Sequence, residues 1–335
     1  MRRAVAFAIR AALCLTAGSA GAAPLPAPPA IDGPDVPPVT APAAVVTVFE
    51  NERYFCDGSP HSRTIDVPAG SFNRVILSTT ITPDGDVWDR LIGVAIGGVE
   101  VLRGTTPRTA MTLRKDITRY AALLPPGGTA TVSLLNSTYV GKGMLGTVRI
   151  EFYANEPTAP PLPPATVAMG PFTWAGLNRG GERLSAAVEF PAVPPSMAVA
   201  ELTLSGHGTE EFWFAGIAVP RRFTILVDGQ EVAVAAAMPY VYAFLGFGNE
   251  YSYAVCSGQA ANDPFGDTVH PVMWWTAQQA LDAAGVHTGV GEIPPYRIAI
   301  DPAVLPLLAG TRTVEVRQEY GFGTWVTSLA FLLHA

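Results

Sequence analysis

The sequence predicts an all-β protein made of two copies of one antiparallel β-sandwich, with a minor helix in an insertion of the second. Three observations predict it. From Ala44 onward the chain is a succession of short strand-like runs separated by Gly, Pro, Asn and Asp. A proline-rich break, Glu156-Pro157-Thr158-Ala159-Pro160-Pro161-Leu162-Pro163-Pro164, divides those runs into two halves. The two halves also echo each other. Val94-Ala95-Ile96-Gly97-Gly98-Val99-Glu100-Val101 is similar to Ile225-Leu226-Val227-Asp228-Gly229-Gln230-Glu231-Val232. Asp116-Ile117-Thr118, leading to Leu123-Leu124 and Thr131-Val132, is matched by Asp301-Pro302-Ala303, leading to Leu307-Leu308 and Thr313-Val314.

The N-terminus is basic at Arg2 and Arg3 and then apolar, and it closes on Ala20-Gly21-Ala22. That order is the pattern of a cleaved export signal over residues 1–22, which implies a secreted or periplasmic protein. Residues 23–43 are a Pro/Ala-rich lead-in, extended and poorly ordered by composition. Residues 44–154 are expected to form the first sandwich. Its clearest strand is Gly146–Tyr153, where Val148, Ile150 and Phe152 face one way and Thr147, Arg149 and Glu151 the other. Asn73–Ile81, Leu91–Ile96 and Thr129–Leu135 read similarly. A linker is expected at 155–165 and the second sandwich over 166–335. Its strands lie near Arg183–Phe190, Ala198–Ser205, Arg222–Val227, Tyr296–Ile300 and Thr311–Arg317. The spacing of the echoes places an insertion around 238–294, where Val272–Gly285 has helical composition.

Charge and composition exclude several function classes. The leader removes Arg2, Arg3 and Arg10 from 21 basic residues, so about 18 face 28 acidic ones, a net charge near −10. No basic patch is interleaved with aromatics, which argues against nucleic acid. No later apolar run is long enough to span a bilayer. The mature chain keeps Cys56 and Cys256, which in an exported protein are disulfide candidates. His61, His207, His270, His287 and His334 lack paired ligand spacing, so no metal is expected. There is no Gly-x-Ser-x-Gly elbow.

Two stretches carry chemistry. Asp84-Gly85-Asp86-Val87-Trp88-Asp89-Arg90 and Gly206-His207-Gly208-Thr209-Glu210-Glu211-Phe212-Trp213 are turn-rich, run toward a strand, and set a carboxylate near a tryptophan. A neighbouring aromatic desolvates a carboxylate and raises its pKa, whereas an adjacent arginine holds the charge; Trp88-Asp89-Arg90 offers both influences. Trp88, Trp213, Trp274, Trp275 and Tyr139 are candidate platforms for a sugar ring. The plainer alternative makes the tryptophans core and the acids turn residues.

Taken in order, these segments resemble the secreted peptide:N-glycosidases, or glycopeptide amidases, and their plant (A-type) branch above all. Trp88-Asp89-Arg90 with Gly98-Val99-Glu100-Val101-Leu102-Arg103-Gly104-Thr105-Thr106 carries the resemblance, as do Lys115-Asp116-Ile117-Thr118-Arg119-Tyr120 and Ser205-Gly206-His207-Gly208 with Glu211-Phe212-Trp213. The resemblance implies two jelly-roll sandwiches side by side with a site between them. It implies hydrolysis of the amide joining the first N-acetylglucosamine to asparagine in N-linked glycopeptides or glycoproteins, by a monomer without cofactor. Asp89 matches the principal catalytic acid and Glu211 the second. Trp88, Arg90, His207, Glu210, Trp213 and Tyr139 are expected to support or bind substrate. A third acid of the bacterial (F-type) branch has no counterpart near Asn136-Ser137-Thr138-Tyr139. The alternative is a carbohydrate-binding β-sandwich protein without catalysis.

Overall fold

The computed structural model describes residues 30–31, 38–54, 61–84, 91–105, 111–136, 143–159, 164–177, 182–207, 221–237, 295–319 and 324–335. An edge pair, β1 (Ala30–Ile31), precedes the first sandwich, which comprises β2 (Ala44–Tyr54), β3 (His61–Asp66), β4 (Arg74–Asp84), β5 (Leu91–Ile96), β6 (Val99–Thr105), β7 (Met111–Asp116), β8 (Thr129–Asn136) and β9 (Gly143–Tyr153). The second comprises β10 (Val167–Leu177), β11 (Arg183–Glu189), β12 (Met197–His207), β13 (Arg221–Val227), β14 (Gln230–Ala237), β15 (Tyr296–Ala299), β16 (Thr311–Gln318) and β17 (Thr324–His334).

The sheets make the duplication explicit. In the first half they run β2-β9-β4-β7 and β3-β8-β5-β6, and in the second β10-β17-β12-β15 and β11-β16-β13-β14, with β1 added beside β15. Each strand of one half has a counterpart at the same place in the other, and every pairing is antiparallel. This order of strands across two facing sheets is the jelly roll. The echo identified in the sequence falls on the hairpins β5–β6 and β13–β14. Each turns through two residues at positive φ, Gly97-Gly98 (57° and 82°) and Asp228-Gly229 (49° and 79°), the backbone a tight twisted hairpin demands. Both hairpins also break register at aligned positions, between Val94 and Ala95 and between Ile225 and Leu226. The second echo falls on two short 3-10 helices, Thr118–Leu123 and Pro302–Leu307, which strand periodicity does not reveal.

Strand limits follow the alternation in sequence. In β9, Val148, Ile150 and Phe152 are buried, while Arg149 is exposed and Thr147 and Glu151 are half-buried. Strand β17 lies inside its sheet, between β12 and β10, and is buried on both faces, so it lacks the alternation that would mark it in sequence. Leu329, Phe331 and Leu333 enter the core of the second sandwich, and Ala330 and Leu332 that of the first. The sheet containing β10, β12 and β17 therefore packs on its own core with one face and on the first sandwich with the other.

Parts of the lead-in and linker carry defined contacts. Ala30 and Ile31 pair with Arg297 and Tyr296 on β15. The buried Glu156 carboxylate accepts bonds from Val39 N (3.1 Å), Thr40 N (2.9 Å) and Thr158 N (3.1 Å), and from the hydroxyls of Thr40 and Thr158 (2.5 Å each). Burial pushes this carboxyl upward, but the hydrogen bonds outweigh it and hold the group well below the usual carboxylate range. The insertion over 238–294, with its expected helix, lies outside the described residues.

Candidate functional site

The two sequence segments with catalytic potential hang on a common frame. In the first sandwich, Asp84 pairs with Gly143, Tyr54 with Met144, His61 with Leu134, Leu91 with Thr105 and Ile92 with Asn136. The strand ends flanking residues 85–90 and 137–142 thus share one end of the sandwich. In the second, His207 pairs with Thr324, Leu177 with Trp325, Leu202 with Tyr296 and Phe223 with Gln318. The strand ends flanking 208–220 and 238–294 likewise share one end.

Contacts across the seam align these two ends. Gly170 of β10 approaches the Gly98 carbonyl, Trp174 Nε1 donates to Glu100 Oε1 (2.7 Å), and Arg103 reaches β12 and β17. As β6 advances toward its Thr105 end, its partners on β10 and β12 advance toward Leu177 and His207. The loop-bearing ends therefore lie on the same side of the molecule. A Cβ on Gly170 would stand 3.1 Å from the Gly98 oxygen and 3.2 Å from Val99 Cα, so glycine is what lets the two backbones come this close.

Two buried carboxylates fasten the seam, one from each sandwich. Glu100 receives Arg103 in a two-pronged pair, Nε to Oε1 at 2.9 Å and Nη2 to Oε2 at 2.6 Å. Arg103 also donates from Nη1 to the carbonyls of Val326 (2.7 Å) and Thr203 (3.4 Å) and to Ser205 Oγ (3.2 Å), and from Nη2 to Ser328 Oγ (2.8 Å). Its guanidinium carbon lies 5.7 Å from the Trp174 ring centroid. Ser328 Oγ in turn accepts the Trp174 backbone N–H at 2.9 Å. In the opposite sense, Glu201 of β12 accepts the Tyr120 hydroxyl and pairs with Arg119 (2.8 Å) and Arg297 (2.9 Å).

A bulge explains how Glu100 and Arg103, three apart in one strand, share a face. Arg103 pairs with Gly93 and Leu102 with Val94, but Ala95 pairs with Glu100, leaving Val101 as the extra residue. The phase of side chains resets there, and both charged groups point at the second sandwich. The aligned bulge in the second half leaves Glu231 exposed, beside Arg222 at 3.3 Å. The same local sequence thus builds an interface in one half and a solvated rim in the other.

The structure places His207 at the last position of β12, ahead of residues 208–220. Trp88, Asp89, Arg90, Tyr139, Glu210, Glu211 and Trp213 lie outside the described residues, as do Cys56 and Cys256. Among the described residues no cluster of His, Cys, Asp or Glu could hold a metal ion, and no helix is long and apolar enough to cross a membrane. The Glu100–Arg103 pair has no role in the sequence reading, although it sits in one of the quoted segments. Its signal was the presence of two opposite charges in an otherwise apolar hairpin.

These features define a double jelly-roll protein whose two sandwiches set the strand ends flanking residues 85–90 and 208–220 on one side of a polar, fastened seam. The chain belongs to the Peptide N-acetyl-beta-D-glucosaminyl asparaginase amidase A family, whose model matches residues 34–240. It is 26% identical over 292 residues to the Peptide-N4-(N-acetyl-beta-glucosaminyl)asparagine amidase A of Prunus dulcis. That match covers 73% of this chain and 45% of the relative, so the chain spans about half the length of the curated relative it matches. Among solved structures, PNGF-II superposes with a TM-score of 0.57 at 15% identity, over 87% of this chain and 65% of that one. PNGase F, a glycosylasparaginase from Flavobacterium meningosepticum, superposes with a TM-score of 0.52 at 16% identity, over 87% of this chain and 96% of that one. These structural likenesses show the shared fold.

Proposed function

We propose that this protein is a glycoamidase that hydrolyses the amide between the first N-acetylglucosamine and the asparagine side chain of N-linked glycopeptides or glycoproteins. Family membership supports the reaction class. The observation that carries the site is the common orientation of the two sandwiches, which puts the strand ends flanking residues 85–90 and 208–220 on one side of the seam.

In this reading Asp89 positions or activates water for attack on the amide carbonyl carbon. The carbon–nitrogen bond breaks, aspartate is left in the peptide, and the glycosylamine departs, later losing ammonia in water. Glu211 holds the sugar and polarises the linkage. Arg90 orients the Asp89 charge, Trp88, Trp213 and Tyr139 offer apolar walls to sugar rings, and His207 and Glu210 support or bind substrate. The first sandwich spans 44–154 and the second 166–335, joined across 155–165. Residues 1–22 act as an export signal, which makes the mature protein secreted or periplasmic. It works as a monomer.

The test is mass spectrometry of a defined N-glycopeptide after incubation with the purified protein from acidic to neutral pH. Release of peptide with Asn converted to Asp is the expected result. Release leaving one sugar on Asn would make the protein a glycosidase and overturn the proposal. Asp89→Asn should lower kcat by about 10²–10⁴-fold with folding intact. Retained activity would remove Asp89 from the site.

A further inference from the structure

The seam holds a buried ion pair for which neither the fold nor the proposed chemistry has an evident need. Arg103 is 1% exposed and Glu100 6% exposed. Burying both charges is costly, and two apolar side chains of similar size would serve adhesion as well or better. Adhesion alone therefore does not explain the pair. What the pair supplies is direction, because a guanidinium donates in a fixed planar fork that matches a carboxylate.

The fork's targets lie next to the two segments with catalytic potential. Arg103 is two residues before Thr105, and Thr105 pairs with Leu91, the residue that follows Arg90. Ser205, which accepts from Arg103 Nη1, is two residues before His207, the last strand residue ahead of 208–220. Val326 and Ser328, its remaining partners on β17, pair with Ser205 and Thr203 on the same ladder. One side chain thus connects the roots of both segments, and Glu100 and Trp174 fix that side chain's own rotamer.

We propose that Arg103, oriented by Glu100, is a positioning residue that sets the separation and register, across the seam, of the strand ends flanking residues 85–90 and 208–220. The proposal rests on the glycoamidase reading for its kinetic consequence and on the seam alone for its structural one. A two-carboxylate site tolerates little misplacement: an error of about 1 Å costs on the order of 10²-fold in rate. A loosened seam produces that error without touching substrate.

The experiment compares wild type with Arg103→Met, Arg103→Lys and Glu100→Gln, and with Val314→Ala, a core truncation in β16 away from the seam. Kinetics on a defined N-glycopeptide are measured at a temperature where every variant is folded by circular dichroism. Backbone hydrogen exchange is followed at Leu91, Thr105, Ser205–His207 and Val326. Arg103→Met is expected to lose about 10²-fold in kcat with KM within about threefold, since substrate contacts persist while alignment fails. Arg103→Lys, which keeps the charge and loses the fork, should fall between it and wild type. Val314→Ala should keep wild-type kcat even where its stability loss equals that of the Arg103 variants. A folded Arg103→Met enzyme within twofold of Val314→Ala in kcat would overturn the proposal. If Arg103→Met fails to fold, Arg103→Lys and Glu100→Gln decide by the same criterion. If wild type does not cleave, the glycoamidase reading falls, and exchange decides the seam separately. Faster exchange at strand ends in both sandwiches upholds the clamp, and unchanged exchange removes it.

Discussion

Gly93→Ala is a one-methyl test of how tightly the seam is built. Gly93 lies in β5 on the face turned toward the second sandwich. A Cβ there would stand 2.9 Å from Glu100 Oε1, 3.0 Å from the Leu102 carbonyl oxygen and 3.2 Å from Trp174 Cζ2. The carbonyl belongs to the β5–β6 hairpin and has little freedom to move. The carboxylate is a side-chain terminus, but Arg103 grips both its oxygens and Trp174 Nε1 donates to one of them. Relief must come from backbone shift or from giving up the Trp174 bond. Overpacking of this kind costs about 1–3 kcal/mol, and a hydrogen bond to a charged group is worth about 1.5–3 kcal/mol. Because relief by one route lessens the other, we expect a loss of about 2–3 kcal/mol. For a sandwich of about 110 residues that lowers Tm by roughly 9–13 °C. Urea unfolding followed by tryptophan fluorescence measures it, because Trp174 is buried at this contact. Gly93→Ala matching or exceeding wild-type stability would refute the packing described for Gly93, Glu100 and Trp174.

Three further outcomes are expected. Glu156→Gln should destabilise the protein at neutral pH, and the deficit should shrink as acid is added. The Glu156 carboxyl lies below its ordinary value of 4.5 in the folded protein, so its contribution is complete above that value and is lost as pH falls below it; equal wild-type and variant acid limbs in urea titrations at pH 7, 5 and 3 would contradict this. Tyr120→Phe removes the hydroxyl donor to buried Glu201 but leaves the Arg119 and Arg297 pairs, so chemical denaturation should show a loss of about 1–3 kcal/mol, with no loss counting against the contact. Gly170→Val should separate the sandwiches, costing about 1–3 kcal/mol and speeding exchange at Gly98 and Val99, because the added carbons meet the backbone of the first sandwich; a neutral variant would mean that the approach is not close.

Much of the architecture was legible in the sequence because β-structure writes a period of two where one face is buried and the other solvated. Strand β9 obeys that rule from Met144 to Phe152. The duplication was legible because two-residue hairpins demand positive φ, which keeps Gly97-Gly98 and Asp228-Gly229 recognisable at aligned places. The two segments bearing Asp89 and Glu211 could be named from residue types and their resemblance to a family, with no knowledge of packing.

Tertiary structure decided what local pattern does not encode. The alternation in Ala198–Ser205 reads as a strand with its polar face in water, yet Glu201, Thr203 and Ser205 are buried against the first sandwich. Nothing in a strand's own sequence says whether its polar face meets solvent or a partner surface with matching donors. By spacing, Glu100 and Arg103 belong on opposite faces of a regular strand. The bulge at Val101, a matter of pairing with β5, puts them side by side. The same bulge at Val232 leaves Glu231 at a solvated edge, because among the described residues the first sandwich does not pack on β14. Sequence by itself determined the strands whose two faces differ and their doubling, and it named candidate residues for the site. Only the packing of one sandwich on the other decided which charges were taken out of water and paired.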